Sequence, residues 1–362
     1  MAEPLKNLIG PDVVAQLAAA LELPGAFATE ALPALPDLEL KARVRHLANA
    51  ARAHLPPPWP DALERIVRAL PPPIGSDGDL LGVPWVWVLA QIVEDHGLER
   101  PEASLLALRE ITMRFTAEFA IRPYLEAHPD LTFAHLSAWV RDPNVHVRRL
   151  VSEGSRPRLP WGRRLTLVQA EPARTVALLE QLVDDPERYV QRSVANHLND
   201  ISKDHPDLAV QVAARWLEAP TDDRRWVVRH ALRGLVKQGH SDALALLGFP
   251  PPDLVVESFE VAPREVPIGG ELTVRAVLRA AGAQQVLVDY AVFHRRADGS
   301  QSPKVFKGTT SALADGQVLT FEKRHSLRPV TTRRYYPGAH RVELRVNGQA
   351  LAEAAFALTP EA

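Results

Sequence analysis

The feature that most constrains this chain is a change of hydrophobic period at Pro250-Pro251-Pro252. Before this point apolar residues recur every three to four positions, as in amphipathic helices. After it they form short strand-like runs. These runs are separated by the turn signals Gly269-Gly270, Asp298-Gly299, Asp315-Gly316 and Asn347-Gly348. Because 362 residues are enough for two domains, the sequence predicts an α + β multidomain protein, with an all-α domain over residues 1–250 and a β domain over residues 253–362.

The β part has the length and rhythm of an immunoglobulin-like (Ig-like) sandwich. Apolar runs fall at residues 254–261, 272–278, 286–293, 318–322, 340–346 and 351–358. About seven short strands in roughly 110 residues are typical of this fold. The chain contains no cysteine, which excludes an intersheet disulfide and every thiolate metal site.

The helical part repeats itself. His128-Pro129-Asp130-Leu131, followed by Trp139, returns 77 residues later as His205-Pro206-Asp207-Leu208, followed by Trp216. Half of this interval is close to the period of about 40–47 residues in HEAT-type helical pairs. Such pairs stack into a solenoid with a concave face. The sequence therefore predicts an all-α HEAT-like repeat solenoid.

The second helices of successive pairs carry arginines in register. Arg114, Arg149, Arg192 and Arg229 align, and four positions later stand Glu118, Glu153, Asn196 and Arg233. Residues at i and i+4 share one helix face, so stacked helices would present a ladder of arginines with acids among them. The same stripe continues to Asp200 on one helix and to Lys237 on the next. The opposite face carries apolar residues and should be core: Val190, Val194, Leu198 and Ile201.

This ladder has two interpretations. Pairs such as Arg114–Glu118 or Glu118–Arg122 are common on solvated helix faces and contribute little. Arginines repeated along a concave face could instead hold the phosphates of DNA. Residues 141–165 hold seven Lys+Arg against two Asp+Glu, although the net charge of the chain is only −2. The candidate phosphate contacts are Arg149, Arg156, Arg158, Arg192, Arg229 and Arg233.

Glu153 and Trp161 stand out near the end of one predicted helix. That helix begins near Asp142-Pro143 and must end by Gly154, because Pro157 and Pro160 follow. Glu153 then lies in the last turn, where the helix dipole disfavours an anion. Either an arginine compensates it in a structural ion pair, or it is a functional residue. Trp161 either packs beneath the proline-rich loop or stacks on an exposed base or sugar.

The run Ser152-Glu153-Gly154-Ser155-Arg156-Pro157-Arg158-Leu159-Pro160-Trp161 resembles the bacterial DNA alkylation repair glycosylases built from HEAT-like repeats, specifically the AlkC branch. Leu5-Lys6-Asn7-Leu8 and the run from Trp226 to Leu232 are similar to it as well, so the resemblance spans roughly residues 1–250. Some members of this branch carry a C-terminal Ig-like domain. HEAT-like arrays alone serve many purposes, so the ten-residue motif is the specific signal.

The resemblance implies hydrolysis of the N-glycosidic bond of cationic methylated bases, 3-methyladenine above all, in base excision repair. It places the active-site carboxylates at Glu118, Glu153 and Asp200, and all three acids are present. It also implies that the damaged base is not flipped into a tight pocket. No lysine replaces one of these carboxylates, so we expect a monofunctional enzyme without a Schiff-base lyase step. Glu153 would face the deoxyribose or the base, Asp200 would position water, and Glu118 would support either.

We further expect double-stranded DNA with alkylated bases as the partner of a monomeric, cytoplasmic protein without metal, cofactor or membrane contact. No stretch approaches about 18 apolar residues, and no His-Glu-x-x-His metal motif occurs. The alternatives are a non-catalytic HEAT-repeat scaffold that binds DNA and an adaptor that binds protein. Acids within an arginine groove favour the enzyme, because a pure phosphate binder gains nothing from them.

The Ig-like part contains a second basic segment. Residues 321–345 also hold seven Lys+Arg against two Asp+Glu. Together with His294-Arg295-Arg296, Lys304 and Lys307, this segment could form loops that contact DNA and close a clamp against the helices. The alternative is a basic sheet edge that resists aggregation.

Overall fold

The computed structural model describes residues 4–75, 82–331 and 333–361. Helices occupy the described chain up to Leu246 and strands follow from Leu254, so the secondary structure changes where the hydrophobic period does. The α-helices are α1 Pro11–Ala20, α2 Gly25–Ala31, α3 Leu40–Ala53, α4 Trp59–Arg68, α5 Trp85–His96, α6 Pro101–Thr112, α7 Arg122–Ala127, α8 Pro129–Trp139, α9 Val145–Gly154, α10 Thr166–Ala170, α11 Ala173–Leu182, α12 Arg188–Ile201, α13 Pro206–Trp216, α14 Asp222–Ala231, α15 Arg233–Gln238 and α16 Ser241–Leu246.

The repeat in the sequence corresponds to a repeat in the packing. Helix α12 contacts both α9 and α14, so the second helices of three successive pairs are neighbours. Helices α8 and α11 contact each other and pack against α9. The face of α12 that was expected to be core is buried, at Val190, Val194, Leu198 and Ile201. The predicted register of α9, α12 and α14 therefore corresponds to side-by-side helices.

Two expectations for the arginine ladder are wrong. Arg114 and Glu118 do not share a helix, because α6 ends at Thr112 and α7 begins at Arg122. The hydroxyl of Thr116 accepts the Glu118 amide, a local bond that competes with helix formation. The helix expected to run through Lys237 is also interrupted, since α14 ends at Ala231 and α15 starts at Arg233.

The β part is a sandwich of two sheets. Its strands are β1 Leu254–Ala262, β2 Glu265–Pro267, β3 Glu271–Ala280, β4 Gln284–Arg295, β5 Gln301–Leu313, β6 Val318–Ser326, β7 Gly338–Val346 and β8 Gln349–Thr359. One sheet has the order β1-β3-β6 and the other the order β2-β8-β7-β4-β5. Adjacent strands pair antiparallel except β2 and β8, which are parallel. Strands β7 and β8 meet at the predicted Asn347-Gly348 turn, where both residues have positive φ.

The apolar pattern predicted six of these strands and missed β2 and β5. Strand β5 lies at the edge of its sheet and carries lysines, Pro303 and Gly308. Edge strands tolerate such residues because one side of the backbone is not paired. Strand β2 has only three residues and is too short to show an alternation.

The contacts divide the chain into two compact units. The first contains residues 1–205 and 215–231, and the second contains residues 206–214 and 232–362. Within the second unit, Gly239 and Gly348 approach so closely that a Cβ on Gly239 would lie 2.8 Å from the Gly348 carbonyl oxygen. The change from helix to strand and the division into compact units thus fall at different places in the sequence.

Candidate active site in the helical part

Helix α9 carries the centre of the candidate site. The side chain of Asn144 caps its start by accepting the amides of His146 and Val147, at 2.9 and 3.4 Å. The helix ends at Gly154, where a Cβ would lie 2.6 Å from Ile121, so the close approach of these segments requires glycine. Glu153 therefore lies in the last turn, as predicted.

The three predicted acids belong to one network of alternating charges. Arg149 Nη1 lies 2.6 Å from Glu118 Oε2, and its Nη2 lies 3.7 Å from Glu153 Oε1. Arg156 continues the network, with Nη1 2.6 Å from Glu153 Oε1 and Nη2 2.8 Å from Asp200 Oδ2. The structure thus brings together acids from α9, α12 and the segment before α7.

Most of this network is enclosed by protein. Glu153 is 6% exposed, Arg156 is 7% exposed and Asp200 is 1% exposed. Ser193, on α12, donates to Glu153 Oε2 at 2.5 Å. Lys203, one turn beyond Asp200, holds Asp200 Oδ1 at 2.8 Å. A buried carboxylate is tolerated only when its oxygens are paired in this way.

The neighbouring cations explain why an anion is stable in the last turn of α9. Burial acts to raise the pKa of Glu153, but Arg149, Arg156 and the Ser193 hydroxyl outweigh it and hold the pKa below its ordinary value. Burial also acts to lower the pKa of Arg156, and Glu153 and Asp200 overcome it and raise that pKa. Glu153 is therefore ionised at neutral pH and directed toward positive charge.

Glu118 reaches the network from a turn rather than from a helix. Thr116 donates to Glu118 Oε2 at 2.8 Å, and Arg149 donates to the same oxygen. The expected ion pair Arg114–Glu118 is absent among the described residues, because Arg114 pairs with Glu110 at 2.9 Å. Tertiary contact thus replaces the local pair that i,i+4 spacing suggested.

Arg122 is a residue that the sequence did not single out as functional. Its side chain is fully buried and points to backbone carbonyls instead of forming the expected pair with Glu118. It donates to the carbonyls of Gly154 at 2.9 Å, Arg156 at 2.7 Å and Arg163 at 3.0 Å. Burial lowers the pKa of Arg122 to about 10, which leaves it charged at neutral pH. Arg122 thus supports the C-terminus of α9 with a cation and anchors the loop that follows.

His197 packs behind the network and is neutral. Its Nδ1 lies 2.9 Å from the Ser152 carbonyl, so that nitrogen carries the proton and donates it. Burial lowers the pKa of His197 to about 3. Among the described residues its buried Nε2 has no hydrogen-bond partner. His197 therefore holds α12 against α9 and does not supply a proton near neutral pH.

The predicted phosphate-binding arginines fall into different environments. Arg192 and Arg229 are exposed, and their side chains make no ion pair or hydrogen bond with other described residues. Arg158 pairs with Asp204 at 2.6 Å. Arg149 and Arg156 instead bind the three predicted catalytic acids described above. Arg233 is exposed at the start of α15, in the second compact unit.

Trp161 does not pack beneath the proline-rich loop. Its side chain is 65% exposed and its backbone has φ of +62°, a left-handed conformation that is rare for a residue with a side chain. The packing interpretation of Trp161 is therefore wrong, and the indole is free to meet a ligand.

The described residues contain neither a cluster suited to a metal ion nor a helix suited to cross a membrane. No group of three or more histidine, aspartate or glutamate side chains in the described ranges is arranged to hold a metal ion. No described helix has the length and apolar character needed to cross a membrane.

The basic residues of the sandwich are partly on strands and partly in loops. Lys304 and Lys307 lie on the edge strand β5, and Lys323 and Arg324 lie on the edge strand β6, so these four are not loop residues as expected. A surface cavity of about 330 Å³ is lined by the arginines near the ends of β4 and β7 together with aromatic and polar neighbours: His294, Arg295, Arg296, Ala297, Ser302, Arg333, Arg334 and Tyr336.

Comparison with known proteins identifies the relatives of both parts. A family model described as DNA alkylation repair enzyme matches residues 112–235, and one described as the C-terminal Ig-like domain of uncharacterised protein YhaZ matches residues 255–360. The uncharacterized protein YhaZ of Bacillus subtilis (strain 168) is 36% identical over 316 residues, covering 87% of this chain and 86% of that protein.

A solved structure matches nearly the whole chain. It is the Pseudomonas fluorescens alkylpurine DNA glycosylase AlkC, bound to DNA containing an abasic site analogue. The TM-score is 0.87 at 33% identity, covering 99% of this chain and 100% of that one. This match and the Ig-like family model confirm the predicted fold class, a HEAT-like helical array followed by an Ig-like sandwich. The chain therefore belongs to the DNA alkylation repair glycosylase family, in the AlkC-like branch that carries a C-terminal Ig-like domain.

Proposed function

We propose that this chain is a monofunctional DNA glycosylase that releases cationic methylated bases from double-stranded DNA. The main substrate is 3-methyladenine, with 3-methylcytosine as a second candidate lesion. The observation that carries the proposal is the enclosed network in which Glu118, Glu153 and Asp200 alternate with Arg149 and Arg156. The related AlkC was solved with an abasic site analogue, which represents the product of such a reaction.

The chemistry suits a site with carboxylates and no strong acid. An N3-methylated purine already carries a positive charge, so it leaves as a neutral base without being protonated. The N-glycosidic bond breaks, its electron pair goes to the base, and the sugar acquires oxocarbenium character. A water oxygen then bonds to C1′, and its proton passes to a carboxylate and on to solvent. Carboxylates near the sugar stabilise this charge and orient the water.

The roles differ among the acids. Glu153 faces the deoxyribose or the cationic base, and its lowered pKa keeps it ionised there. Asp200 positions the water, for which one oxygen must be freed. The exposed side chain of Lys203 holds that oxygen and can move to a phosphate when DNA binds. Glu118, the partner of Arg149, adds to the negative potential at the sugar.

Phosphates of the DNA backbone are bound by the arginines of the second helices. Arg192 and Arg229 have uncommitted guanidinium groups, so they supply the first contacts. Arg149, Arg156, Arg158 and Arg233 complete the phosphate-binding set. Arg158 exchanges its contact with Asp204 for a phosphate, whereas Arg149 and Arg156 keep their carboxylate partners and offer their remaining N–H groups. Trp161 stacks on an exposed base or sugar. The protein acts as a monomer without metal or cofactor.

The test is release of free base from duplex DNA treated with a methylating agent. We expect 3-methyladenine in the supernatant and an abasic strand that remains intact until it is heated in alkali, as a monofunctional enzyme leaves it. A strand cut without alkali would contradict the monofunctional assignment. Binding of the same DNA without base release would indicate the alternative, a non-catalytic scaffold.

The role of Asp200 is tested by the variant Asp200→Asn. Asparagine keeps the size of the side chain and removes the charge that orients water. We expect slower release in single-turnover assays, with little change in the affinity for DNA. Release of 3-methyladenine at the wild-type rate would show that the role given to Asp200 is wrong.

A further inference from the structure

The backbone of Trp161 is held by a contact from a distant helix. A residue with a side chain pays an energetic cost for φ of +62°, so the surrounding structure must stabilise that conformation. The side chain of Trp161 contributes little to this stabilisation, because it is 65% exposed. Stabilisation must therefore act through the main chain of the loop.

Lys41 provides one such contact. It lies in the first turn of α3, and its Nζ donates to the Trp161 carbonyl at 2.9 Å. The same Nζ lies 4.5 Å from the ring centroid of Phe119, at cation–π distance. The Phe119 ring stacks on Trp87 with a centroid distance of 6.0 Å. Lys41 thus joins the Trp161 peptide to an aromatic pair on another part of the helical array.

This contact lies close in sequence to the acid network. Phe119 follows Glu118 directly, and Trp161 follows Arg156 and Arg158 in the loop that leaves α9. Arg122 anchors the same loop through the carbonyls of Gly154, Arg156 and Arg163. Several contacts from other segments therefore hold the loop, and the one from Lys41 is made at Trp161 itself.

Partial burial and neighbouring charges both act on the Lys41 ammonium. Desolvation lowers the pKa of Lys41, which Glu94 partly opposes, and the cations Arg45, Arg163 and Arg122 lower it further. Lys41 nevertheless remains exposed to solvent, so its hydrogen bond to the Trp161 carbonyl is a surface contact. Lys6, which pairs with the exposed Glu39, is a comparable lysine near the surface and serves as its control.

We propose that Lys41 is a positioning residue that fixes the Trp161 indole against the damaged nucleoside by holding the Trp161 carbonyl. This inference rests on the proposed function. Lys41 does not itself touch the reacting atoms. Loss of its contact should let the loop relax toward an ordinary backbone conformation and release the indole from its position.

The activity test compares Lys41→Met, Trp161→Ala and the double variant in single-turnover release of 3-methyladenine. One hydrogen bond of ordinary strength corresponds to about a five-fold loss for Lys41→Met. Because Lys41 acts through Trp161, adding Lys41→Met to Trp161→Ala should cause no further loss. Lys41→Arg should restore most of the rate, and the control Lys6→Met should match wild type.

A spectroscopic test does not depend on activity. In full-length protein labelled with 5-fluorotryptophan, the ¹⁹F resonance of Trp161 is assigned by its loss in Trp161→Phe. We expect Lys41→Met to shift or broaden that resonance and to leave the signals of Trp139, Trp216 and Trp226 unchanged. Changes in all signals would indicate a general loss of structure and would contradict a local positioning role.

The outcomes separate the two proposals. Wild-type protein that releases no base refutes the proposed function, whereas the ¹⁹F spectrum still reports on the Lys41–Trp161 contact. Wild-type activity in Lys41→Met, or losses that multiply in the double variant, would overturn the role of Lys41 while the glycosylase assignment stands. An unchanged Trp161 resonance in Lys41→Met would overturn it as well.

Discussion

Residues 141–165 in the helical part and residues 321–345 in the sandwich have the same charge, seven Lys+Arg against two Asp+Glu. The charged side chains of the two segments have different surroundings in the structure. In the first segment Arg149 and Arg156 bind enclosed acids, and Arg148 holds the buried Asp185 at 2.6 Å. In the second, Lys323 and Arg324 are exposed on an edge strand and Arg334 lines an open cavity, while Arg345 pairs with the buried Glu343 at 2.6 Å.

The difference shows that net charge does not distinguish a candidate active site from a basic surface. A cation on a surface is screened by water and salt, so its pairing has little effect on a neighbouring group. A cation enclosed with a carboxylate changes the pKa and orientation of that carboxylate. Both segments contain a buried glutamate paired with arginine, Glu153 in the first and Glu343 in the second. The first segment differs because its arginines also bind acids from distant parts of the chain, Glu118 and Asp200.

The largest expected effect comes from comparing one buried glutamate in each part, Glu153 in the helical part and Glu343 in the sandwich. Glu153→Gln removes the charge that we propose stabilises the developing sugar cation, and we expect single-turnover base release to fall by about 10²–10³-fold. The matched control is Glu343→Gln, which changes a buried, arginine-paired glutamate of the sandwich and should leave the rate unchanged. Equal losses in both variants would mean that the comparison reflects stability and not chemistry.

The second prediction concerns the buried cation that supports the first segment. Arg122→Met leaves three carbonyls without donors, so we expect the free energy of unfolding to fall by about 3 kcal/mol. The control Arg174→Met removes an exposed arginine paired with Asp130 and should cost less than about 1 kcal/mol. Urea unfolding followed by tryptophan fluorescence measures both, because all seven tryptophans lie before residue 227. Similar losses of unfolding free energy in the two variants would show that the buried Arg122 stabilises the fold no more than an exposed arginine does.

The third prediction is a loss of stability in acid that originates at His197. Its folded-state pKa of about 3 is below the ordinary value of 6.5, so the unfolded chain binds an extra proton between these values. The free energy of unfolding of the helical part should therefore fall by up to about 1.4 kcal/mol per pH unit as the pH drops below 6.5. His197→Asn keeps a donor for the Ser152 carbonyl and should reduce this slope. An unchanged slope would assign the acid sensitivity to other groups.

The smallest expected effect compares DNA binding by the two parts. Arg192→Ala/Arg229→Ala removes two proposed phosphate contacts and should reduce the salt dependence of binding by about two units of slope. Arg296→Ala/Arg334→Ala makes the same charge change at the sandwich cavity, and a similar reduction would place DNA there. An unchanged slope for the sandwich variant would make its basic residues a surface that resists aggregation. Arg174→Ala/Arg215→Ala, whose arginines already pair with acids, is the control.

The sequence predicted those parts of the molecule that depend on local pattern. The periods of the apolar residues separated helices from strands, and the 77-residue repeat identified α8 and α13 as equivalent. The position of Glu153 in the last turn of α9 followed from the prolines beyond Gly154. The edge strand β5 was missed because an edge does not need the apolar alternation that reveals a central strand.

The partners of the site residues were decided only by tertiary structure. Spacing suggested Arg114 for Glu118, but the contact is made by Arg149, from a helix about thirty residues further along. Nothing local to Arg122 or Lys41 indicates that they hold carbonyls of the loop after α9, because their contacts cross 32 to 120 residues. The chain by itself thus determined which residues are apolar, charged or helical and which family they resemble. The packing of distant segments decided which charges lie close enough, and far enough from water, to change one another.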